Sequence, residues 1–334
     1  MADNPSFSPP TVSCWDHIRD LLHLINTFQD SMPHPIIGVG HSVGACHVAH
    51  LALMHPRLLD ALVLVDPVLQ LDLKINKTMA RLSTSRRDVW RSREVAAASF
   101  RKSGFYRCWD LRVLEKWVEC GLREVPTELY PDVVVKKEGA GSSDAGDGDS
   151  EGNVPVTLTT TVAQEVYYYV RASYRDKRLL QKDSEKDLLR DVHPDDRAGS
   201  ALFARPELQR FIRTLPELEP SVLYIFGGQS GASTPASRAK HVQATGTGVG
   251  GSGGAKAGKV KDVVLDCGHL VGMERPAECA EATAGFVDVE VGRWEARERA
   301  WDEALKGLGR RERVGINDLW REKIGAVWGA KSRL

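Results

Sequence analysis

The segment around which the rest of the chain can be placed reads Ile36-Ile37-Gly38-Val39-Gly40-His41-Ser42-Val43-Gly44-Ala45. Its apolar beginning predicts a short buried strand, and the small and apolar residues that follow as far as Met54 recur at helical spacing. A strand, a tight turn carrying the serine of Gly-x-Ser-x-Gly, and a helix form the layout of a nucleophile elbow. The pentapeptide alone also fits an ordinary glycine-rich turn, and the two flanks favour the elbow.

The elbow predicts a chemical role for four neighbouring residues. Ser42 is expected on a strained turn that pushes its Oγ out at the carboxyl edge of the sheet. Gly40 and Gly44 are expected to leave room for the strand and the helix to pass close by. The N–H of Val43 opens the helix, where unpaired amides favour negative charge, so it is predicted to be an oxyanion donor.

The order of the remaining elements predicts an α/β fold with a doubly wound, mostly parallel sheet. Ser13 and Asp16 form the pattern of a capping box, which begins an amphipathic helix before the elbow. Short apolar strands are predicted at 61–65, 221–226 and 260–265, and helical patterns alternate with them.

A large insertion between two strands predicts a cap over the sheet. The predicted divisions are a first part of the core at 11–67, the cap at 68–215, a second part of the core at 216–290, and a C-terminal helical segment with a targeting tail at 291–334. The cap is expected to hold mixed helices, at roughly 85–100, 109–120, 162–172 and 205–214. A separate helical domain is the alternative interpretation. Composition predicts disorder at 138–153 and a flexible stretch at 244–258.

A serine needs a base and an acid, and the sequence offers both in the order expected of an elbow protein. His269 follows a late strand and precedes a helix, which places it at the carboxyl edge of the sheet. Asp66 ends the strand after the elbow helix, so its carboxylate is predicted to reach that imidazole. No carboxylate follows Phe226, where an acid often lies in this layout. In the alternative interpretation, Asp66 only caps its turn. Asp266 and Asp262 are the other candidates for the acid.

The composition excludes several classes of function. Lys and Arg total 45, as do Asp and Glu, so no charge excess points to nucleic acid or an acidic membrane surface. No apolar run approaches the ~20 residues that span a bilayer. The scattered cysteines form no Cys-x-x-Cys pair, so we expect reduced thiols in an intracellular protein, with no zinc site or other metal. Nothing implies a cofactor.

The three residues Ser332-Arg333-Leu334 are a conservative variant of the Ser-Lys-Leu peroxisomal address. They predict a peroxisomal import receptor as a partner and the peroxisome as the location. The alternative is an ordinary frayed tail on a cytoplasmic protein.

Several stretches together resemble a known family. They are Trp15-Asp16-His17-Ile18-Arg19-Asp20-Leu21-Leu22, Gly38-Val39-Gly40-His41-Ser42-Val43-Gly44, Leu62-Val63-Leu64-Val65-Asp66-Pro67-Val68, Leu223-Tyr224-Ile225-Phe226-Gly227 and Gly268-His269-Leu270-Val271. The chain resembles fungal α/β-hydrolases of the peroxisomal lipase-like and host-selective toxin-biosynthesis kind. The resemblance implies Ser42 as nucleophile, His269 as base, an Asp after the following strand (here Asp66), and peroxisomal import.

The sequence departs from this family before its first helix. Family members carry further strands there, with a loop that supplies the second oxyanion donor. Without them we expect a shortened N-terminus and a bare flank along strand 36–39, which would leave unpaired backbone groups on an apolar edge. Such an edge predicts a homo-oligomer formed through it.

We therefore expect a serine hydrolase that acts on an ester, thioester or lipid-like acyl substrate through an acyl-enzyme, in peroxisomal secondary (toxin) metabolism. A serine at the nucleophile position argues against dehalogenase or epoxide hydrolase chemistry. The alternative hypothesis is a catalytically inactive, truncated homologue that acts through protein contacts.

Overall fold

The computed structural model describes residues 13–69, 74–131, 154–170, 207–316 and 318–328. The helices are α1 (Cys14–Thr27), α2 (Val43–Met54), α3 (Lys74–Thr84), α4 (Arg93–Lys102), α5 (Leu111–Cys120), α6 (Val162–Tyr169), α7 (Glu207–Thr214), α8 (Pro235–Ala244), α9 (Val271–Glu274), α10 (Pro276–Leu305), α11 (Arg310–Val314) and α12 (Asp318–Trp328). The strands are β1 (Ile37–His41), β2 (Ala61–Val65), β3 (Val89–Trp90), β4 (Leu122–Glu124), β5 (Val156–Leu158), β6 (Ser221–Gly227) and β7 (Val260–Leu265).

The main sheet has four parallel strands in the order β1-β2-β6-β7. Both central strands are buried along their whole length, which explains why they read as continuous apolar runs in the sequence. The register pairs His41 with Val65, and Val65 with Ile225, so the strands end at one common edge. The predicted parallel α/β architecture is confirmed.

Side chains of the central strands alternate between two apolar layers, as the period of a strand requires. Leu62, Leu64 and Tyr224 face the layer formed with α1 and α2. Val63 and Ile225 face the opposite layer. The sheet is thereby covered on both faces, which is the arrangement that parallel sheets need.

The first helix forms as its sequence predicts. The Ser13 Oγ accepts from the Trp15 N–H, and Asp16 completes the capping box. Ile18 and Ile25 are buried on the face that packs against α2. Ser13 also donates to Glu207 Oε1 at 2.9 Å, which ties the start of α1 to α7.

The insertion between β2 and β6 contains a second sheet as well as helices. Its three antiparallel strands lie in the order β3-β5-β4, with Val89 opposite Thr157. The predicted helix at 85–100 is wrong in its first half, because the β-forming pair Val89-Trp90 is a strand. The helix begins only at Arg93, where Ser92 caps it, and it continues to Lys102.

The other cap predictions differ from the structure at their ends. Helix α5 begins at Leu111 because Asp110 caps it, and it ends at Cys120 with Gly121 as its C-cap, as expected. Helix α6 ends at Tyr169, before the predicted 172. The segment 138–153, predicted to be disordered, lies outside the described residues.

The glycine-rich segment 244–258 is a hydrogen-bonded loop, unlike the flexible stretch that its composition predicts. Gly246 adopts φ 72°, and its N–H donates to the Leu215 carbonyl at 3.0 Å. A Cβ at Gly251 would lie 2.4 Å from the Pro216 carbonyl oxygen. The glycines therefore serve close backbone approach and a left-handed turn here, and not flexibility.

The chain forms two compact units, one ending at Phe286 and the other beginning at Val287. The second unit is helical in its described part, and within it Arg293 donates to Glu290 at 2.5 Å. Across the described residues, no helix combines the length and apolar character needed to cross a membrane.

Candidate active site

Ser42 lies in the turn between β1 and α2, with its backbone at φ 58° and ψ −122°. A non-glycine residue in this region is strained, and two hydrogen bonds hold it there. The Ser42 N–H donates to the Val65 carbonyl at 2.9 Å, and its own carbonyl accepts from the Val68 N–H at 3.3 Å. The turn is thus fixed to the end of β2.

The two elbow glycines have different surroundings. A Cβ at Gly40 would lie 2.5 Å from the Gly44 carbonyl oxygen, so only glycine fits at position 40. A Cβ at Gly44 would meet nothing within 4 Å. The expectation that Gly44 makes room with its missing side chain is therefore wrong, because its main chain is what approaches Gly40.

Asp66 ends β2 with φ 38° and is fully buried. Its Oδ1 accepts from the Gly227 N–H at 3.1 Å. Its Oδ2 accepts from the Ser230 hydroxyl at 2.5 Å and lies 2.6 Å from His269 Nδ1. A buried carboxylate is stable only when it is paired in this way.

His269 lies between Ser42 and Asp66, in the loop that follows β7. Its Nε2 is 2.8 Å from Ser42 Oγ, while its Nδ1 faces the Asp66 carboxylate. An ionised carboxylate can only accept, so Nδ1 carries the proton and Nε2 is left to accept from the serine hydroxyl. The Gly268 N–H donates to Glu274 at 2.8 Å, which fixes this loop against α9.

His41, which the sequence did not single out, supports the same loop. Its Nε2–H donates to the His269 carbonyl at 2.8 Å, and the two rings lie 5.0 Å apart. Burial lowers the pKa of His41 below its ordinary value. A neutral imidazole next to His269 adds no competing positive charge.

A buried guanidinium anchors the loop after β6. Arg238 donates to the carbonyls of Gly227 and Gly228 at 2.8 and 3.2 Å, and to the Ser233 hydroxyl at 2.9 Å. The end of β6 and this loop bring Gly227 and Ser230 to Asp66. The signal for this arrangement in the sequence is that the loop lacks a carboxylate, because hydrogen-bond donors lie where an acid was expected.

The remaining predicted residues are placed as follows. Val43 begins α2 next to Ser42, among the first-turn N–H groups that lack intrahelical partners; its role as an oxyanion donor stays a prediction. The Asp266 carboxylate accepts from Gln229 at 2.8 Å, and Asp262 is exposed within β7. Neither is hydrogen-bonded to His269. Residues 332–334 lie outside the described chain.

A cavity of about 480 Å³ borders the loop after β7, which carries His269. Cap residues and core residues both contribute, namely Arg107, Cys108, Trp109, Asp110, Gln229, Asp266, Cys267, Glu274 and Arg275. The Asp110 N–H donates to the Met273 carbonyl at 2.8 Å, which joins the cap to α9 at this place. Within the described part of the chain, no three His, Cys, Asp or Glu side chains form a group that could hold a metal ion.

Comparison with known proteins confirms the resemblance to fungal α/β-hydrolases. A family model described as the alpha/beta hydrolase family matches residues 1–282. The type I acyl-CoA thioesterase mpaH of Penicillium brevicompactum is 35% identical over 336 residues, covering 96% of this chain and 73% of that protein. The abhydrolase domain-containing protein ACTT2-1 of Alternaria alternata is 27% identical over 262 residues, covering 77% of this chain and 84% of that protein.

Solved structures agree on the fold. The peroxisomal α/β-hydrolase Lpx1 of Saccharomyces cerevisiae has a TM-score of 0.55 at 14% identity, over 96% of this chain and 72% of that chain. E-2-(acetamidomethylene)succinate hydrolase has a TM-score of 0.53 at 15% identity, over 84% of this chain and 76% of that chain. At such identities the likeness shows the fold alone.

Proposed function

The chain belongs to the α/β-hydrolase family, and we propose that it is a serine hydrolase that cleaves an acyl ester or thioester through an acyl-enzyme. Ser42 is the nucleophile, His269 the general base and Asp66 the residue that orients the base. One observation carries this assignment: the imidazole lies 2.8 Å from the serine oxygen and 2.6 Å from the carboxylate.

The first step is acylation. Ser42 Oγ attacks the carbonyl carbon of the substrate while its proton moves to His269 Nε2. Asp66 keeps Nδ1–H in place and stabilises the imidazolium that forms. The Val43 N–H, at the positive end of α2, is the donor that we assign to the developing oxyanion. Collapse of the tetrahedral intermediate expels the alcohol or thiol, which takes the proton back from His269.

The second step is hydrolysis of the acyl-enzyme. Water attacks the Ser42 ester carbonyl and gives its proton to His269 Nε2. The imidazolium then protonates Ser42 Oγ as the carboxylic acid leaves, which restores the free enzyme. The side chain of His269 is 32% exposed, so water has access to the base.

A thioester of coenzyme A is the substrate we propose within this class. The support is the similarity to relatives named type I acyl-CoA thioesterases, at 34–35% identity over 88–96% of the chain. The acyl part is lipid-like, and the place of action is peroxisomal secondary metabolism.

The test of this function compares the wild type with Ser42→Ala and with Ser85→Ala, an exposed serine on the cap. We expect a fluorophosphonate probe to label the wild type and Ser85→Ala, and to leave Ser42→Ala unlabelled. Release of free coenzyme A from medium-chain acyl-CoA should fall about 10⁶-fold in Ser42→Ala. Labelling or turnover that persists in Ser42→Ala would contradict the assignment.

Import into peroxisomes rests on Ser332-Arg333-Leu334 and is tested separately. A fluorescent protein fused before the chain, with these three residues kept at the end, should show a punctate peroxisomal pattern in fungal cells. Removal of the three residues should return the fluorescence to the cytoplasm. A diffuse pattern for both fusions would contradict import by this route.

A further inference from the structure

Ser230 shares one oxygen atom with the base. Its hydroxyl lies 2.5 Å from Asp66 Oδ2, and His269 Nδ1 lies 2.6 Å from the same atom. Ser230 is 8% exposed, so water does not replace this contact easily. The carboxylate oxygen that faces the base therefore has two donors, and only one of them belongs to the three residues assigned above.

The direction of the Ser230 hydrogen bond is fixed by its surroundings. The Ala232 N–H donates to Ser230 Oγ at 3.0 Å, so that oxygen already accepts. An ionised carboxylate has no proton to give. The single hydroxyl proton of Ser230 is therefore directed at Asp66.

The loop that carries Ser230 is held at both ends. Directly before it, the N–H of Gly227, the last residue of β6, donates to the other oxygen of Asp66 at 3.1 Å. Arg238, 7% exposed, binds the carbonyls at the start of the loop and the Ser233 hydroxyl near its end. The two donors thus reach the carboxylate from a rigid segment, which is the arrangement that a preorganised site needs.

We propose that Ser230 is a positioning residue for the reaction, acting through Asp66. Its hydroxyl fixes Oδ2 in line with His269 Nδ1 and shares the negative charge of that oxygen. The inference rests on the proposed function, because it assigns Ser230 to the same catalytic group.

Two consequences separate this role from a merely structural one. Loss of the hydroxyl leaves the carboxylate less well oriented, which lowers kcat with little change in KM. It also leaves more negative charge on Oδ2, so the imidazolium of His269 is held more strongly and the acidic limb of the pH–rate profile moves to higher pH.

Other titratable and charged groups surround this site. They come from β1, α8, α9 and the loop after β7, and are His41, Arg238, Glu274 and Cys267. The test must leave all four in place. Substitution at position 230 alone does so.

The experiment compares Ser230→Ala with Ser230→Thr, which keeps the hydroxyl, and Ser230→Cys, a weaker donor of similar size. The control is Ser237→Ala, which removes a hydroxyl that bonds only to Thr234 in the same segment. Kinetics of acyl-CoA hydrolysis from pH 5 to 9, the fluorophosphonate labelling rate and the thermal midpoint are measured for each.

We expect kcat to fall about 10- to 100-fold in Ser230→Ala, with KM within twofold and the acidic limb raised by about half a pH unit. Ser230→Thr should recover most of the rate, and Ser237→Ala should lose thermal stability without moving the limb. If Ser230→Ala does not fold, Ser230→Cys should show the same changes in smaller measure.

Two results would overturn the proposal. In the first, the wild type is active, and Ser230→Ala shows an unchanged kcat and an unchanged acidic limb of the pH–rate profile. Ser230→Cys is used for this comparison where Ser230→Ala does not fold. Such a result shows that Ser230 is not a positioning residue and does not affect the proposed function. A wild type that neither reacts with fluorophosphonate nor hydrolyses a thioester overturns the proposed function, and this inference with it.

Discussion

Asp66 is the residue at which the hydrogen bonds of the site converge. Its fully buried carboxylate accepts from Gly227, Ser230 and His269. A buried ion without such donors would cost several kcal/mol. The loop after β6 therefore helps to stabilise the buried carboxylate at the end of β2.

We predict that Asp66→Asn lowers kcat about 10⁴-fold, because an amide facing Nδ1 favours the wrong tautomer of His269. The matched control is Asp266→Asn, an exposed residue whose carboxylate accepts from Gln229. Steady-state thioester hydrolysis measures both. Equal losses in the two variants would contradict the role of Asp66.

Two buried histidines predict how stability depends on pH. Burial lowers the pKa of His50 and of His241 to about 4, and each side chain is 6% exposed. Between about 6.5 and 4 the unfolded chain binds more protons than the native one, so stability falls as the pH falls through that window.

When the pH is lowered from 7 to 5, we expect the free energy of unfolding of His50→Gln to fall by about 2 kcal/mol less than that of the wild type. Urea unfolding at the two pH values measures this difference. His23→Gln, which changes an exposed histidine on α1, is the control. A pH dependence in His50→Gln that matches the wild type would show that His50 is not responsible.

Sequence alone was sufficient for the residues that a motif or a strand end specifies. Ser42 comes from the elbow, His269 from chain order, and Asp66 from the missing carboxylate after β6. The roles of Ser230 and His41 could not be predicted this way, because no motif and no chain order marks a hydrogen bond to the Asp66 carboxylate or to the His269 carbonyl. Only folding brings them together.

The elbow is the element whose geometry depends most on glycine. We predict that Gly40→Ala destabilises the protein by about 3 kcal/mol, since its Cβ would lie 2.5 Å from the Gly44 carbonyl oxygen. Gly44→Ala is the matched variant, because open space surrounds that position within α2. We expect it to be neutral or to stabilise by up to about 1 kcal/mol.

Chemical denaturation of both variants measures the two free energies of unfolding. Equal destabilisation by the two substitutions would contradict the asymmetry between the glycines. The contrast matters because the Gly-x-Ser-x-Gly motif specifies glycine at both positions. In the structure, only a side chain at position 40 would collide with the main chain.

In two other segments, the structure differs from what the local sequence pattern predicts. The helix-like composition of 85–100 hides the strand Val89–Trp90, which pairs with β5 through contacts that no local pattern contains. In 244–258, glycine content predicted flexibility, while Gly246 and its neighbours hydrogen-bond the segment after α7. In both places partners distant in sequence override the local signal.

At the scale of the whole molecule, the described sheet has β1 at one end. Among the described residues no strand pairs with the outer side of β1, and Val39 is 56% exposed there. An apolar edge strand is a template for pairing with another chain. We propose that two copies of the protein associate through this edge.

We predict that the wild type shows concentration-dependent association and that Val39→Lys weakens it at least tenfold, because a lysine on an edge strand opposes pairing. Val249→Lys, at a fully exposed position in the loop 244–258, is the control for added charge. Sedimentation velocity over a hundredfold concentration range measures the association. A monomeric wild type, or equal weakening by both variants, would contradict the proposal.

The central claim is that Ser42 carries the acyl group during turnover. The most direct test mixes the protein with acyl-CoA, quenches it in acid within milliseconds, and locates the adduct by peptide mass spectrometry. We predict a mass increase equal to the acyl group on the peptide containing Ser42, absent from Ser42→Ala and decaying as free acid appears. Hydrolysis that proceeds with no adduct on Ser42, or with the adduct on another residue, would contradict the account.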